Sequence, residues 1–238
     1  MKALILNSGM GTRMGSLTSE QPKCMTEIGP GETILSRQLK LLQQVGITEV
    51  VMTTGFLGDV LEDYCHALNL DLNYTFVMNE QYAQTNYIYS IYLARKHLQN
   101  SGILMLHGDL VFERSVLEEL LDNKNSCVTI STVLPLPTKD FKAVIEDGKV
   151  TKVGVEFFDN AYAAQPLYKL NWKDWAIWLD RIVAYCKMGQ LNCYAEKALN
   201  EVTDRCKIIP LDFGEQLCTE IDNPDDLDYV QERLVRLI

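Results

Sequence analysis

Leu6-Asn7-Ser8-Gly9-Met10-Gly11-Thr12-Arg13-Met14-Gly15, with Gln21-Pro22-Lys23 behind it, is the stretch whose reading decides this chain. It follows the apolar run 2–7, which has the character of a buried strand. A glycine-rich loop straight after a strand lets backbone N–H groups come close to an anion. The loop lacks GxxxxGK[ST], so it is not a P-loop. Its glycines at 9, 11 and 15 are spaced one residue too widely for GxGxxG, and the next strand ends in Thr53-Thr54-Gly55 rather than in an acid for a ribose. The loop does hold a cation, Arg13, and a second, Lys23, follows ten residues on. Two cations and bare amides at one strand end suit a triphosphate. The alternative is a surface loop with two solvated cations, and the position at a strand's carboxyl end argues against it.

Outward from the loop, helical and strand patterns alternate. Helices are expected over 33–45, 57–68, 88–98 and 115–121, and strands over 49–54, 73–79, 103–106 and 127–134. That rhythm predicts right-handed crossovers and a mainly parallel sheet covered on both faces. Beyond 135 the pattern changes. Asp147-Gly148 between two alternating runs predicts a hairpin over 144–156. A strand is expected at 165–170, helices at 172–188 and 194–202, strands at 206–211 and 218–221, and a closing helix at 225–236. The expected organisation is a single domain over 1–238. Its parts are a first half at 1–134 that carries the glycine loop, a β-rich insertion or lid at 135–215, and a closing strand and helix at 216–238.

The 238 residues carry 32 acids against 22 Lys and Arg, a net charge of −10, which excludes the dense basic face of a protein that holds a nucleic-acid polymer. Anionic membranes are excluded on the same ground, and no stretch is long enough to span a bilayer. Seven cysteines, at 24, 65, 127, 186, 193, 206 and 218, form no CxxC pair, and a reduced, cytoplasmic chain using thiols as small hydrophobes is expected.

Asp109 closes the fourth major strand in His107-Gly108-Asp109, where a carboxylate facing the phosphate loop can hold Mg²⁺. Near the C-terminus, Asp225, Asp226 and Asp228 read as the acidic start of a helix. Glu220 and Asp222 precede that start. The histidines at 66, 97 and 107 make no HxxxH pattern, so His107 is read as structural. Trp175 and Trp178, at i and i+3, read as core.

LNSGMGTRM…PK resembles the LAAGxGTRxxxxT…PK signature of nucleotidyltransferases that activate phosphorylated sugars and small phosphorylated alcohols, Thr18 included. It departs at Asn7-Ser8, where Ala-Ala is common. Within that superfamily the segment 79–95, with Asn79, Tyr82, Thr85, Asn86 and Ser90, resembles the small-alcohol cytidylyltransferases, which act on phosphocholine or 2-aminoethylphosphonate. Glu220-Ile221-Asp222-Asn223-Pro224 resembles their closing motif. The resemblance runs the length of the chain and is weakest over 135–215.

What the resemblance implies is an α/β, Rossmann-like three-layer α/β/α nucleotidyltransferase fold with a mostly parallel central sheet and a small β-rich acceptor-side insertion. It implies a Mg²⁺-dependent transfer of CMP from CTP to a small phosphonate or phosphorylated amino-alcohol. Arg13 and Lys23 would be catalytic. Leu6, Ser8, Gly9, Gly11, Thr12, Thr85, Asn86, Ser90 and Asp109 would join them around the nucleotide, and Asp109, Asp222 and Glu220 around the metal. Phe141, Tyr194 and Glu196 would line the acceptor pocket. Phosphocholine members carry tryptophans near these places; Phe141 and Ala195 stand there instead. A thinner cage beside Glu196 suits a primary ammonium, which favours 2-aminoethylphosphonate over phosphocholine. A sugar-1-phosphate nucleotidyltransferase stays open, and a homodimer is allowed. A glycosyltransferase of similar fold would need a second acid after Asp109, and Leu110-Val111 does not supply it.

Overall fold

The computed structural model describes residues 1–237; Ile238, the last residue of the expected closing segment, lies outside them. Lys2–Leu6 (β1) sits at the centre of the sheet because its side chains fill both layers. Ala3 and Ile5 enter one core with Leu35 and Leu39, while Leu4 and Leu6 enter the other with Ile88, Ile91 and Trp178.

The first half then runs through β2 (Glu27–Gly29), β3 (Glu32–Thr33), α1 (Ile34–Gln44), β4 (Glu49–Thr54), α2 (Gly58–Ala67), β5 (Asn73–Met78), α3 (Tyr87–Ala94), β6 (Ile103–His107), β7 (Leu110–Phe112), α4 (Arg114–Asp122) and β8 (Ser126–Ser131). The second half adds β9 (Lys142–Glu146), β10 (Lys149–Gly154), β11 (Ala161–Leu170), α5 (Trp172–Lys187), α6 (Ala195–Leu199), β12 (Ile208–Asp212), β13 (Cys218–Glu220) and α7 (Pro224–Val235).

β6, β1, β4 and β5 pair in parallel, as the alternating pattern predicts. β11 enters antiparallel and joins the two halves into one sheet. One of its edges pairs with β8; the other pairs with β9 at residues 161–163 and with β6 at 167–170. The β9–β10 hairpin turns at Asp147-Gly148, both at positive φ. β11 is longer than expected, because Ala161-Tyr162-Ala163-Ala164 carries too few large apolar residues to signal a strand. β7 gave no sequence signal either, yet its pairing with β13, expected at 218–221, sets the C-terminal motif beside Asp109: Ile221 N–H donates to the Asp109 carbonyl at 3.0 Å.

Trp175 and Trp178 are fully buried, each spending its indole N–H on a backbone carbonyl, of Leu98 and Ala195 respectively, at 2.9 Å. α7 begins in a capping box in which Asn223 and Asp226 satisfy each other's backbone N–H groups. All seven cysteines are free and six are buried. Among the described residues no helix is long and apolar enough to cross a membrane.

Candidate active site

The glycine-rich loop closes as two short 3-10 turns over Thr12–Thr18, kinked at Gly15 (φ 60°), rather than as open coil. Gly11, at φ 62°, makes this possible; a Cβ there would stand 2.9 Å from Lys23 Cβ. Thr18 Oγ1 donates to the Gly11 carbonyl at 3.0 Å and draws the turn tight. Arg13 and Lys23 therefore face one cleft at the carboxyl ends of β1 and β6. The floor is equally close-fitting: a Cβ on Gly108 would fall 1.5 Å from Asn7 Oδ1.

The cleft has a volume of about 370 Å³. Leu6, Ser8, Gly9, Gly11, Thr12, Arg13, Lys23, Thr85, Asn86, Ser90 and Asp109, all named from the sequence, line it together. Asp222 reaches it from the start of α7. Lys23 Nζ donates to Asp109 Oδ2 and to Asp222 Oδ1, each at 2.6 Å, and Arg13 Nη2 meets Asp222 Oδ1 at 2.8 Å. Burial alone would lower the Lys23 ammonium, but the two carboxylates outweigh it and hold it above its ordinary value. Burial would likewise raise Asp109, and Lys23 and His107 hold it below the usual carboxylate range. Both groups are thus kept charged.

Four buried polar atoms on the cleft wall have no partner: Asn7 Nδ2, Ser8 Oγ, His107 Nε2 and Asp109 Oδ1. Such orphans are costly in a folded protein, and their gathering in one cleft marks a place where a ligand completes the hydrogen bonding. The hard carboxylate oxygens of Asp109 and Asp222, already drawn around one cation and with Oδ1 of Asp109 unpartnered, fit Mg²⁺. Glu220 lies differently. Its Oε1 meets His107 Nδ1 at 2.8 Å, and ligand atoms of His107, Asp109 and Glu220 lie within 4.8 Å of one another. Burial, with the charge of Asp109 next, pushes the Glu220 carboxyl up to about 7. His107, read as structural, thus orients Glu220 and walls the cleft.

Asn79 is the hub of the wall that carries Thr85 and Ser90, a role the sequence did not reveal. Its Nδ2 donates to both hydroxyls at 3.0 Å while its Oδ1 accepts from Gln81 N–H, also at 3.0 Å. Asn86 caps α3, accepting from Tyr87 N–H at 2.8 Å.

Phe141 and Tyr194, both named from the sequence as acceptor-pocket candidates, meet edge to face at 5.0 Å. Two further rings extend the group: Tyr87 lies 5.8 Å from Tyr194 and 4.8 Å from His107, which is 6.3 Å from Phe141. The expected open carboxylate at Glu196 is corrected. Glu196 is 1% exposed and does not line the nucleotide cleft. One oxygen accepts from the Tyr87 hydroxyl and the other from the Tyr168 hydroxyl at 3.0 Å. Burial pushes its carboxyl up. Glu196 stands beneath the aromatic group because its two tyrosine partners come from α3 and β11, elements far apart in sequence.

A model of the MobA-like NTP transferase domain matches residues 3–134. A CTP:phosphoglutamine cytidylyltransferase of Campylobacter jejuni is 26% identical over 160 residues, which is 64% of this chain and 62% of that protein. A CMP-5'-(3-aminopropyl)phosphonate synthase of Streptomyces rubellomurinus is 34% identical over 120 residues, 50% of this chain and 19% of that protein. The chain thus matches less than two thirds of the length of either relative. The solved structure of the CTP:phosphocholine cytidylyltransferase of Streptococcus pneumoniae has the same fold, with a TM-score of 0.77 at 18% identity over 98% of both chains.

Proposed function

This chain belongs to the family of MobA-like NTP transferase domains, and on that premise we propose that it transfers CMP from CTP to a small phosphonate or phosphorylated amino-alcohol, releasing pyrophosphate. The observation that carries the reading is Lys23 held between Asp109 and Asp222 with Arg13 on the same carboxylate, at the mouth of a cleft with four unpartnered polar atoms.

The attacking oxygen of a phosphate or phosphonate is already anionic at neutral pH, so the reaction needs no general base. The chain's task is alignment and charge. Arg13, largely exposed, is free to turn from Asp222 onto the β and γ groups. Lys23, half enclosed and held protonated, offsets the charge that grows on the α-phosphoryl oxygens during in-line attack. Asp109 and Asp222 are the residues that would hold Mg²⁺, which would supply positive charge to offset that of the triphosphate. The backbone of Leu6 to Gly9 and the wall of Thr85 and Ser90 enclose the base.

The best acceptor is 2-aminoethylphosphonate, giving CMP-2-aminoethylphosphonate. Two buried carboxyl groups, Glu196 and Glu220, lie under the ring cluster; burial pushes both towards the neutral form, and a cation above the rings would favour their ionised form in return. One relative is named for an aminopropyl phosphonate product. Phosphocholine is the second reading. Four rings rather than two suit a quaternary ammonium, and Glu196, spent on tyrosines, offers a primary ammonium less than a free carboxylate would.

The test supplies each of the four NTPs with 2-aminoethylphosphonate, phosphocholine, phosphoethanolamine or glucose-1-phosphate and measures pyrophosphate. Release with CTP and 2-aminoethylphosphonate is expected. No release with any pair overturns the reading, and faster turnover of phosphocholine replaces the acceptor.

A further inference from the structure

Lys142 opens β9 and is fully buried. A buried ammonium is normally paired with a carboxylate. This one donates instead to two backbone carbonyls, Pro137 at 2.8 Å and Asp140 at 3.0 Å, and sits 4.3 Å from the centre of the Phe158 ring. Two of the three donors on one nitrogen are thus turned on a single short segment, 137–140, with the Phe158 ring beside them.

That segment leads into the site from the acceptor side. Phe141 follows it at once and packs against Tyr194 and His107. Asp140 faces the metal side: burial, then the charges of Asp222 and Asp226, push its carboxyl up. Phe141 is held from behind, where its carbonyl accepts from Ala164 N–H at 3.0 Å. Lys142 holds the same segment from the front. Val133, Leu134 and Leu136, just upstream, are exposed and contribute little packing of their own.

We propose that Lys142 is a positioning residue for the acceptor: by gathering the Pro137 and Asp140 carbonyls, it holds segment 137–141 so that the Phe141 ring closes the acceptor side of the cleft. The claim rests on the CMP-transfer reading. A buried ion of this kind contributes little net stability, since an apolar side chain of similar length removes its desolvation cost. Its worth lies in geometry. Lys142→Met should therefore fold with a melting temperature at or above that of the wild type while binding the acceptor worse.

The experiment measures KM for CTP and for 2-aminoethylphosphonate in wild type, Lys142→Met, Phe141→Ala and the double variant, with phosphocholine as the acceptor if that is the one turned over. Lys142→Met should raise the acceptor KM about tenfold and leave the CTP KM within about twofold. In the Phe141→Ala background the same change should add less than about twofold, because the group it positions is gone. An unchanged acceptor KM, a joint rise of both KM values, or effects that multiply in the double variant would each overturn the proposal alone. A wild type with no turnover overturns the CMP-transfer reading and this inference with it. If Lys142→Met does not fold, Lys142→Gln, which keeps a donor, carries the same four measurements.

Discussion

The two sides of the cleft are built on different principles. The glycine-loop side of the cleft, which we propose takes the nucleotide, has its cations and glycines in one short span, Leu6 to Lys23, with Thr85, Ser90 and Asp109 completing the wall. The acceptor side is assembled from α3, β6, β9 and the start of α6, which contribute Tyr87, His107, Phe141 and Tyr194 in turn. A triphosphate is a fixed chemical object, so its cradle can be a compact motif. An acceptor varies, and packed rings over buried carboxyls can be changed one at a time without disturbing the loop. Variants on the two sides should therefore separate kinetically.

The largest effect is expected at Lys23. Lys23→Ala should lower kcat on the order of a hundredfold or more if the ammonium stabilises charge in the transition state. The change also leaves Asp109 and Asp222 without their shared cation, so folding must be checked by a thermal melt alongside single-turnover rates. An unchanged kcat in a folded variant breaks the assignment of catalysis to the loop.

Next comes Tyr194, exposed at the rim of the ring cluster. Tyr194→Ala should raise the acceptor KM by about tenfold, the scale of one lost cation–π or ring contact, with the CTP KM unmoved. Steady-state kinetics with each substrate varied in turn decide it. A parallel rise in the CTP KM would mean that the two sides are not separable.

A smaller effect is expected at Glu196. Glu196→Gln keeps the shape and one acceptor for the tyrosine hydroxyls but removes a charge under the rings. It should weaken acceptor binding a few-fold, by about 1 kcal/mol or less, and more for a primary than for a quaternary ammonium. Competition between phosphoethanolamine and phosphocholine reads this directly. Equal losses would show that Glu196 is only a scaffold for Tyr87 and Tyr168.

The same division explains what could be read from the chain. The major strands and helices through 131 were legible because apolar runs and the glycine loop are local signals, whereas the short β2, β3 and β7 carry too few residues to make a pattern. The residues named from Leu6 to Asp109 do share one cleft. The ring cluster was half legible: Phe141 and Tyr194 could be named, but Tyr87 and His107 belong to other elements, and nothing local joins them. Glu196 misled for the same reason, since only the packed structure brings Tyr168 to it. Asn79 was visible as part of a motif and not as a hub, because its partners' hydroxyls give no pattern. Lys142 could not be singled out, because burial of a lysine has no sequence signature.

The smallest effect concerns the junction between the sides, where β8 ends and the acceptor half begins. Asp212, at the end of β12, accepts from Thr132 Oγ1 at 2.6 Å, Thr132 N–H at 3.1 Å and Gly214 N–H at 2.9 Å. Burial pushes its carboxyl up, but these hydrogen bonds outweigh it and hold it below its ordinary value. A carboxyl lowered in the folded state adds stability above its unfolded value, about 3.9, and loses it as the pH falls through the folded one. Because the group is exposed, solvent discounts the gain to on the order of half a kcal/mol. Asp212→Asn should therefore lower stability by about that amount at pH 7, and urea titrations of the two proteins should converge below about pH 4. Both KM values should stay where they are, since Asp212 touches neither side of the cleft. If either one moves, the junction transmits between the two sides, and their separation is a matter of degree rather than of construction.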